Sequence, residues 1–313
     1  MNLDKLKIWS VTDGSQGMKS QANGLSENIS SNIKEIEIDL IFPWNNIQPG
    51  FLPTYKWIFK NKIPLNEEPN ILISCGRKSV YFSLYCKKKY KNLINIHIQN
   101  PKISSKKFSY VICPNHDNFF GSNVINSVGA LHHFNKPKET PNPKLLTCMV
   151  GGNNQHYHFN ANEAFKLCEK IKEIKKNKSD LEISIITSRR TSDEIKNILI
   201  STLGKDAKIW IGKGNNPYER AIQESSYFIV TSDSTSMISE TAISEKPIYV
   251  YHLPFKRKSM RITNFHNEFN KLEITQDINL VQHLKKWEYN SLNESKRIAR
   301  VIKKRIIEDN NES

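Results

Sequence analysis

The stretch 227–240, with the sequence YFIVTSDSTSMISE, decides the interpretation of the fold. Its first four residues are apolar, β-branched or aromatic, which predicts a buried strand. Small hydroxyl and carboxylate residues follow, and 236–243 has the pattern of a helix that Ser234 or Thr235 can cap. A strand that turns directly into a helix leaves backbone N–H groups and the positive end of the helix dipole facing outward. The stretch therefore predicts an anion site, most often used for phosphate, with an ordinary capped helix as the alternative.

Length and composition are those of a globular protein. The 313 residues suggest about two domains, and a content of 38% hydrophobic and 25% charged residues suits a soluble chain. The N-terminus is too polar for a secretory signal, and no apolar run approaches the roughly 20 residues that cross a bilayer. The five scattered cysteines indicate reduced, buried thiols rather than disulfides. We therefore expect a cytoplasmic protein, with peripheral contact at the inner face of the membrane as a further hypothesis.

The net charge of +15 is spread over both halves of the chain. Such an excess favours anionic partners: a nucleotide, a phosphorylated acceptor or an anionic membrane surface. Nucleic acid is not expected as a partner, because no recognition motif or stacking signature is present. A solvated, lysine-rich surface is the simpler explanation for most of the excess.

The first half alternates between strands and helices. Strands are predicted at 7–11, 35–40, 70–74, 93–98 and 110–113, with helices between several of them. This order predicts a parallel, doubly wound sheet, in which ligands bind beyond the carboxyl ends of the strands. Residues at those ends include Arg77 and the three candidates for a general base, Asp13, His116 and Asp117. The loop 12–17 lacks the full glycine spacing of a dinucleotide fingerprint.

Aromatic residues and lysines alternate at 42–60, outside the rhythm of the strands. One interpretation is an interfacial surface that approaches a membrane or a lipid-linked acceptor. The favoured interpretation is a helix packed on the domain with its lysines outward. The proline-rich stretch 135–144 then predicts a linker.

The second half repeats the strand–helix alternation. Gly151 and Gly152 follow a predicted strand, and glycines permit close approach of the backbone to a phosphate or across a domain cleft. Arg189 and Arg190 follow the next strand, where two guanidinium groups suit a diphosphate. The segment 280–307 is predicted to be a basic helix. The predicted division is an N-terminal domain at 1–140, a C-terminal domain at 141–285, and a final helix at 286–313 that packs back on the first domain.

A series of motifs resembles the family named after the plant elongated-mitochondria fission protein. In order they are Thr12-Asp13-Gly14 with Gly17 and Gln21, Ser74-Cys75-Gly76-Arg77, Pro114 with His116-Asp117, Gly151-Gly152, Thr187-Ser188-Arg189-Arg190-Thr191, Asn216-Pro217-Tyr218, and Asp233-Ser234 with Ser236-Met237-Ile238-Ser239-Glu240. The chain departs from the family pattern at Met18, where a histidine is usual, and at Glu245, where a glycine is usual.

The resemblance implies a glycosyltransferase B-type fold, α/β in class, with two Rossmann-like doubly wound parallel-sheet domains facing across a cleft. The second half is similar to the lipid-linked N-acetylglucosamine transferase of peptidoglycan synthesis. By this resemblance Glu240 holds the ribose of a nucleotide, residues 234–236 hold the diphosphate, and the backbone near 210–212 holds the base.

The leading hypothesis is a metal-independent glycosyltransferase that uses a nucleotide-diphosphate sugar as donor and an envelope or lipid-linked acceptor. No cofactor is expected, and no histidine or cysteine spacing matches a metal motif. Nucleotide-sugar epimerisation is one alternative, and a non-catalytic binding or recruitment protein is another. The predicted donor-binding residues are Gly151, Gly152, Ser188, Arg189, Arg190, Trp210, Gly212, Asp233, Ser234, Thr235, Ser236 and Glu240.

Overall fold

The computed structural model describes residues 5–61, 63–64 and 66–311, which form two compact units. Unit 1 contains the chain up to His133 and again from Asn293 onward, and unit 2 is Phe134–Leu292. The chain therefore leaves unit 1, forms unit 2 and returns. The division after His133 lies a few residues before the predicted boundary at 140.

Unit 1 contains a sheet of six parallel strands in the order β2-β1-β3-β4-β5-β6. The strands are β1 (Ile8–Thr12), β2 (Ile33–Glu37), β3 (Ile71–Cys75), β4 (Ile94–Ile98), β5 (Tyr110–Pro114) and β6 (Val124–Ser127). The helices are α1 (Gln16–Glu27), α2 (Arg77–Lys89) and, at the end of the chain, α8 (Glu294–Asn311). A short 3₁₀ helix, Asn115–Asp117, follows β5.

Unit 2 contains a second sheet of six parallel strands, in the order β12-β11-β10-β7-β8-β9. Its strands are β7 (Asn142–Val150), β8 (Glu182–Thr187), β9 (Ala207–Trp210), β10 (Ser225–Thr231), β11 (Ile248–Tyr251) and β12 (Thr275–Asp277). Its helices are α3 (Ala161–Asn177), α4 (Asp193–Leu203), α5 (Tyr218–Glu224), α6 (Thr235–Thr241) and α7 (Met260–Lys271). The predicted class, two doubly wound parallel α/β sheets, is confirmed.

The strands are apolar because both faces of each sheet are covered. All five residues of β1 and all seven of β10 are buried, as expected for parallel strands between helical layers. In unit 1, α1 and α8 pack on one face through residues such as Leu25, Ile298 and Ile302. The other face packs against α2 and the chain around Trp44 and Ile58. All five cysteines are buried and free, which confirms the prediction of buried thiols.

Three local predictions were wrong. The end of the predicted linker belongs to β7, because Asn142 pairs with Ser225 of β10. The stretch 51–60 is not a helix: it contains only the 3₁₀ turn Lys56–Ile58. The final helix begins at Glu294 rather than at 280.

Residues 281–293, just before α8, have no regular secondary structure, because their side chains contact other parts of unit 2. The hydroxyl of Tyr289 donates to the carbonyl of Lys246 at 2.9 Å, and the ring of Trp287 contacts that of Tyr249. These contacts fix the chain in an irregular path that a helix could not follow.

Candidate functional site

The candidate site in unit 2 lies at the carboxyl ends of β7, β8 and β10. β7 pairs with β8 on one side and with β10 on the other, so the connections diverge at this point in the sheet. Such a switch point is where open α/β sheets usually bind ligands. Three loops meet there: 151–154 after β7, 188–192 after β8 and 232–234 after β10.

The carboxylate of Asp233 joins the loops that follow β7 and β10. Its Oδ2 accepts a hydrogen bond from the backbone N–H of Gly152 at 3.0 Å, and its Oδ1 accepts from the hydroxyl of Thr231 at 2.6 Å. That hydroxyl accepts in turn from the N–H of Gly151 at 2.8 Å. The side chain of Asn154 donates to the carbonyl of Asp233 at 3.1 Å. Asp233 is therefore a structural brace for the two loops.

Arg190 ties the third loop to the same carboxylate. Its Nη1 lies 2.6 Å from Asp233 Oδ2 and donates to the carbonyl of Gly152 at 3.1 Å. The Asp233 side chain has no solvent exposure, whereas that of Arg190 is 40% exposed. The guanidinium charge of Arg190 is thus already balanced by a buried carboxylate, which leaves it less charge to offer a ligand.

Arg189 differs from its neighbour. Its side chain is exposed at the start of the same loop. The structure therefore separates the two arginines that the sequence treats as a pair: Arg190 braces the loops, and Arg189 presents its guanidinium to solvent.

Close contact between loops explains the two glycines. A Cβ on Gly151 would lie 2.2 Å from Asp233 Oδ2, and one on Gly152 would lie 2.0 Å from the carbonyl oxygen of Arg190. No side chain fits at such distances. The sequence interpretation attributed the close approach to a phosphate or a domain cleft, but the protein's own loops already require it.

The helix α6 begins at the same edge. The hydroxyl of its N-cap, Ser234, accepts from the N–H of Met237 at 3.3 Å, which confirms Ser234 as the cap. Thr235 and Ser236 lie in the first turn, where backbone N–H groups have no hydrogen-bond acceptor within the helix. Both side chains are partly exposed.

Glu240, further along α6, is held by a tyrosine from another element. The hydroxyl of Tyr218, the first residue of α5, donates to Glu240 Oε2 at 2.6 Å. Burial and the adjacent carboxylate raise the pKa of Tyr218 well above its usual value. The phenol therefore keeps its proton, and its hydrogen bond fixes the orientation of Glu240, which is 8% exposed.

The end of β9 contributes an open loop. The hydroxyl of Thr187 donates to the carbonyl of Trp210 at 3.1 Å and ties the end of β9 to β8. Gly212 has a φ of +95°, a conformation that favours glycine, and a Cβ there would meet no atom within 4 Å. The exposed residues 212–216 thus leave space beside Trp210.

The three candidate bases lie at the carboxyl edge of the sheet in unit 1, but not together. Asp13 follows β1, whereas His116 and Asp117 follow β5, and β3 and β4 lie between those strands. With neighbouring strands about 4.8 Å apart, the two places are separated by about 14 Å. They are alternatives rather than one constellation.

Exposure distinguishes these alternatives. Asp13 is exposed, and its Oδ1 accepts from the N–H of Ser15 at 3.1 Å. The side chains of His116 and Asp117 are each only 6% exposed and lie 3.9 Å apart. Asp117 Oδ2 also accepts from the thiol of Cys113 at 3.6 Å. Only Asp13 is accessible to a large acceptor.

Met18, at the position where the family resemblance leads us to expect a histidine, lies in the first turn of α1. Its sulfur lies 3.3 Å from the sulfur of Cys75 and 3.2 Å from Gln99 Nε2. A thioether cannot take up a proton from an acceptor hydroxyl, so this position in α1 supplies no general base.

Among residues 5–61, 63–64 and 66–311, no group of three or more His, Cys, Asp or Glu side chains is arranged to hold a metal ion. Within the same part of the chain, every helix is too short or too polar to cross a bilayer.

Two Rossmann-like units, each with a parallel six-stranded sheet, define the class of glycosyltransferase B-type folds. Within that class, the sequence model described as "Mitochondrial fission ELM1" matches residues 16–306. The chain belongs to this family.

Two relatives align with much of the chain. An uncharacterized protein of Rickettsia prowazekii is 25% identical over 350 residues, covering 95% of this chain and 98% of that protein. The mitochondrial fission protein ELM1 of Arabidopsis thaliana is 24% identical over 284 residues, covering 76% of this chain and 64% of the plant protein.

The solved structures with a similar fold include UDP-N-acetylglucosamine 2-epimerases. A proposed enzyme of this kind from Listeria monocytogenes gives a TM-score of 0.57 at 12% identity, covering 99% of this chain and 98% of that chain. The enzyme from Methanocaldococcus jannaschii gives 0.54 at 14% identity, covering 95% and 99%. The enzyme from Neisseria meningitidis, bound to UDP-GlcNAc, gives 0.50 at 12% identity, covering 96% and 100%. At such identities the likeness shows the shared fold alone.

Sequence reasoning missed two residues that organise the site. From the sequence, Tyr218 is only part of the motif Asn216-Pro217-Tyr218, and Thr231 is only one of several hydroxyl residues that follow the predicted strand at 227–230. A tyrosine following Asn216-Pro217 at a helix start was a usable signal, but its partner, Glu240, becomes visible only in three dimensions.

Proposed function

We propose that the protein is a glycosyltransferase that uses a nucleotide-diphosphate sugar as donor and an envelope or lipid-linked molecule as acceptor. The observation that carries the proposal is the braced loop cluster at the switch point of unit 2. Asp233 and Arg190 hold three loops in place, with Arg189, the first turn of α6 and Glu240 on the elements that they join.

The chemistry of this cluster suits a diphosphate donor. The exposed guanidinium of Arg189 supplies positive charge, and the N–H groups of Thr235 and Ser236 supply donors to phosphate oxygens. Together they would stabilise the charge that develops on the nucleoside diphosphate as it leaves the sugar, without a metal ion. Arg190 contributes by fixing the loops rather than by binding phosphate.

Glu240 is the candidate for binding the ribose. Because Tyr218 donates to Oε2, the carboxylate is held in a single orientation before the donor arrives. The open loop beside Trp210 and Gly212 is the candidate region for the base.

Transfer to an acceptor hydroxyl also requires a base. Asp13 is the best candidate in unit 1, since it is exposed at a loop that its own side chain orders. His116 and Asp117 are buried, which favours a structural role for both.

Nucleotide-sugar epimerisation is the second candidate. It is favoured by the fold of the three epimerase structures, which cover at least 95% of this chain. It needs the same donor site but no acceptor. A recruitment role without catalysis, which membership of the fission family supports, requires neither.

Calorimetric titration with a panel of nucleoside-diphosphate sugars is the first test. We expect binding that Arg189→Ala weakens by about tenfold to a hundredfold, since a charge-assisted hydrogen bond contributes about 1.5–3 kcal/mol. Arg300→Ala, which changes an exposed arginine in unit 1, is the matched control and should leave binding unchanged. Normal binding by Arg189→Ala would contradict the proposed site.

Product analysis then separates the three functions. Release of the nucleoside diphosphate only when an acceptor extract is present supports transfer. Formation of an isomeric donor without any acceptor supports epimerisation. Failure of every nucleotide sugar to bind supports a recruitment role.

A further inference from the structure

Unit 1 exposes four aromatic side chains within sixteen residues. Phe42, Phe51, Tyr55 and Trp57 have exposed fractions of 75%, 79%, 48% and 60%. Isolated exposed apolar residues are ordinary, but a group of large aromatic rings on one loop marks an interaction site. We refer to these four residues, together with the lysines Lys56 and Lys102, as the aromatic–lysine surface.

The loop that carries these rings is firmly held. Ile58 and Phe59 are buried, and the N–H of Ile41 donates to the carbonyl of Ile58 at 3.0 Å. On the side of α2, Arg77 Nη1 and the hydroxyl of Tyr81 both donate to the carbonyl of Ile47, at 2.7 and 3.1 Å. The rings are therefore exposed by a fixed backbone and not by local disorder.

Aromatic contacts also order the outer part of the loop. Trp44 is 8% exposed, and its indole N–H donates to the carbonyl of Pro53 at 2.9 Å. Its ring meets that of Trp57 edge-on at 5.0 Å, and Trp57 stacks on Tyr55 at 5.7 Å. A buried tryptophan thus supports an exposed pair of amphipathic rings.

The charge on and beside this loop is mainly positive. A neighbouring segment, 99–108, lies against it: Gln48 Nε2 donates to the carbonyl of Lys102 at 2.8 Å, and Gly50 faces the side chain of Ile103. The sequence at 40–61 and 99–108 has no aspartate or glutamate. It has five exposed lysines, namely Lys56, Lys60, Lys102, Lys106 and Lys107, of which Lys60 forms an ion pair with Asp39 at 2.8 Å.

We propose that the aromatic–lysine surface docks unit 1 on an anionic lipid bilayer. Tryptophan and tyrosine prefer the boundary between headgroups and acyl chains, and phenylalanine inserts below it. Each lysine close to an anionic surface strengthens binding by roughly fivefold. A surface with exposed aromatic rings and adjacent lysines combines both contributions.

The position of this surface connects it with the proposed acceptor. The loop follows the carboxyl end of β2, at the same edge of the sheet as Asp13. A lipid-linked acceptor would then reach that edge from the bilayer. Docking itself does not depend on the proposed transferase activity and is tested without nucleotide.

Co-sedimentation with vesicles is the direct test. We expect the wild-type protein to bind vesicles that contain phosphatidylglycerol and to bind pure phosphatidylcholine vesicles at least about tenfold more weakly. Phe51→Ser/Trp57→Ser and Lys56→Glu/Lys102→Glu should each reduce binding to the anionic vesicles by at least about tenfold.

Matched controls change exposed apolar side chains and exposed lysines elsewhere in the protein. Phe165→Ser/Met260→Ser removes exposed apolar side chains from unit 2, and Lys176→Glu/Lys205→Glu reverses two exposed lysines there. Both should retain binding within about twofold to threefold of the wild type. Equal losses in the surface variants and the controls would overturn the proposal, because they would indicate nonspecific attraction of a basic protein.

Quenching of tryptophan fluorescence by brominated lipid provides an independent measurement should a serine variant fail to fold. The wild type should be quenched, and Trp57→Phe should lose most of that quenching. No quenching in the wild type, or equal quenching in both proteins, would overturn the proposal. A third outcome would also overturn it: no vesicle binding, together with a wild-type dimer that is lost in Phe51→Ser/Trp57→Ser. In that case a second copy of the chain would cover the surface.

Discussion

Each unit has a sheet of six parallel strands, but the strand orders differ and the loops at the two carboxyl edges are stabilised by different means. In unit 2 a buried carboxylate, Asp233, joins three loops and binds an arginine. In unit 1 the corresponding edge is ordered by donors to backbone carbonyls, such as Arg77, and by aromatic packing around Trp44.

This difference shows which part of the fold carries specificity. The parallel sheet determines where a ligand can bind, and the loops determine what chemistry is offered there. Polar, cross-braced loops in unit 2 suit a charged small molecule. An aromatic loop in unit 1 suits a large amphipathic surface.

The largest expected effect tests the brace in unit 2. Asp233→Ala removes the ion pair with Arg190 and the hydrogen bonds from Gly152 and Thr231, so the free energy of unfolding should fall by about 3 kcal/mol in urea denaturation. Asp193→Ala is the control: that carboxylate is 92% exposed and pairs only at the surface with Lys196, so a change of about 0.5 kcal/mol or less is expected. Similar losses in both variants would remove the contrast between a buried brace and a surface pair.

The next effect concerns the glycines. Gly152→Ala places a Cβ against the backbone of Arg190, and the displacement should cost about 2 kcal/mol in the same measurement. Gly17→Ala, in the first turn of α1, meets no atom within 4 Å and should be neutral or slightly stabilising. A harmless Gly152→Ala would indicate that the loops of unit 2 are less tightly joined than described.

Lowering the pH should destabilise the buried polar pair of the sheet in unit 1, which contains a histidine, but not the pair in unit 2, which contains two hydroxyls. In unit 1 the pair is Ser74 with His97, 2.8 Å apart, and in unit 2 it is Thr147 with Ser225, 2.7 Å apart. Burial lowers the pKa of His97 to about 3, whereas the unfolded chain titrates near 6.5. Between these values only the unfolded state binds the proton, so stability should fall as the pH falls, by about 2 kcal/mol at pH 5.

The measurement is the difference in unfolding free energy between the wild type and His97→Leu as a function of pH. As the pH falls from 7.5 to 5, the wild type should lose stability relative to His97→Leu. A difference independent of pH would show that His97 is not held neutral.

The smallest effect tests a surface carboxylate of unit 1. Lys60 and Lys78 both donate to Asp39 and hold the pKa of its carboxyl well below the usual range. Because the side chain is 40% exposed, we expect Asp39→Asn to cost only about 0.5 kcal/mol at pH 7. Because the pKa of Asp39 is lower in the folded than in the unfolded state, the stabilisation is fully present above the unfolded pKa. It should be lost as the pH falls below about 4. A loss comparable to that of Asp233→Ala would erase the distinction between the two edges.

The sequence predicted the sheets well because their signal is local. Apolar, β-branched runs such as those of β1 and β10 are buried on both faces, and turn residues follow each of them. It failed where tertiary contacts override local preference. Residues 281–293 have helix-forming composition, yet the bonds of Tyr289 and Trp287 to unit 2 hold them in an irregular path.

The site was predictable in outline and not in detail. Motif positions indicated which loops meet, since the carboxyl ends of parallel strands share an edge. They could not indicate that Asp233 would neutralise Arg190 and leave Arg189 exposed, because side-chain direction depends on contacts far apart in the chain. The role of Tyr218 was hidden for the same reason.

The return of the chain to unit 1 has a consequence for dissecting the protein. Cutting after Leu292 would remove α8, whose residues Ile298, Ile302 and Ile306 belong to the core of unit 1. The segments where the chain leaves and re-enters unit 1 are bonded to each other: the hydroxyl of Ser295, in α8, donates to the carbonyl of His132 at 2.6 Å. A short glycine bridge from one side of this junction to the other would bypass unit 2 and spare the first core, whereas a simple C-terminal truncation would leave an open hydrophobic face on α1.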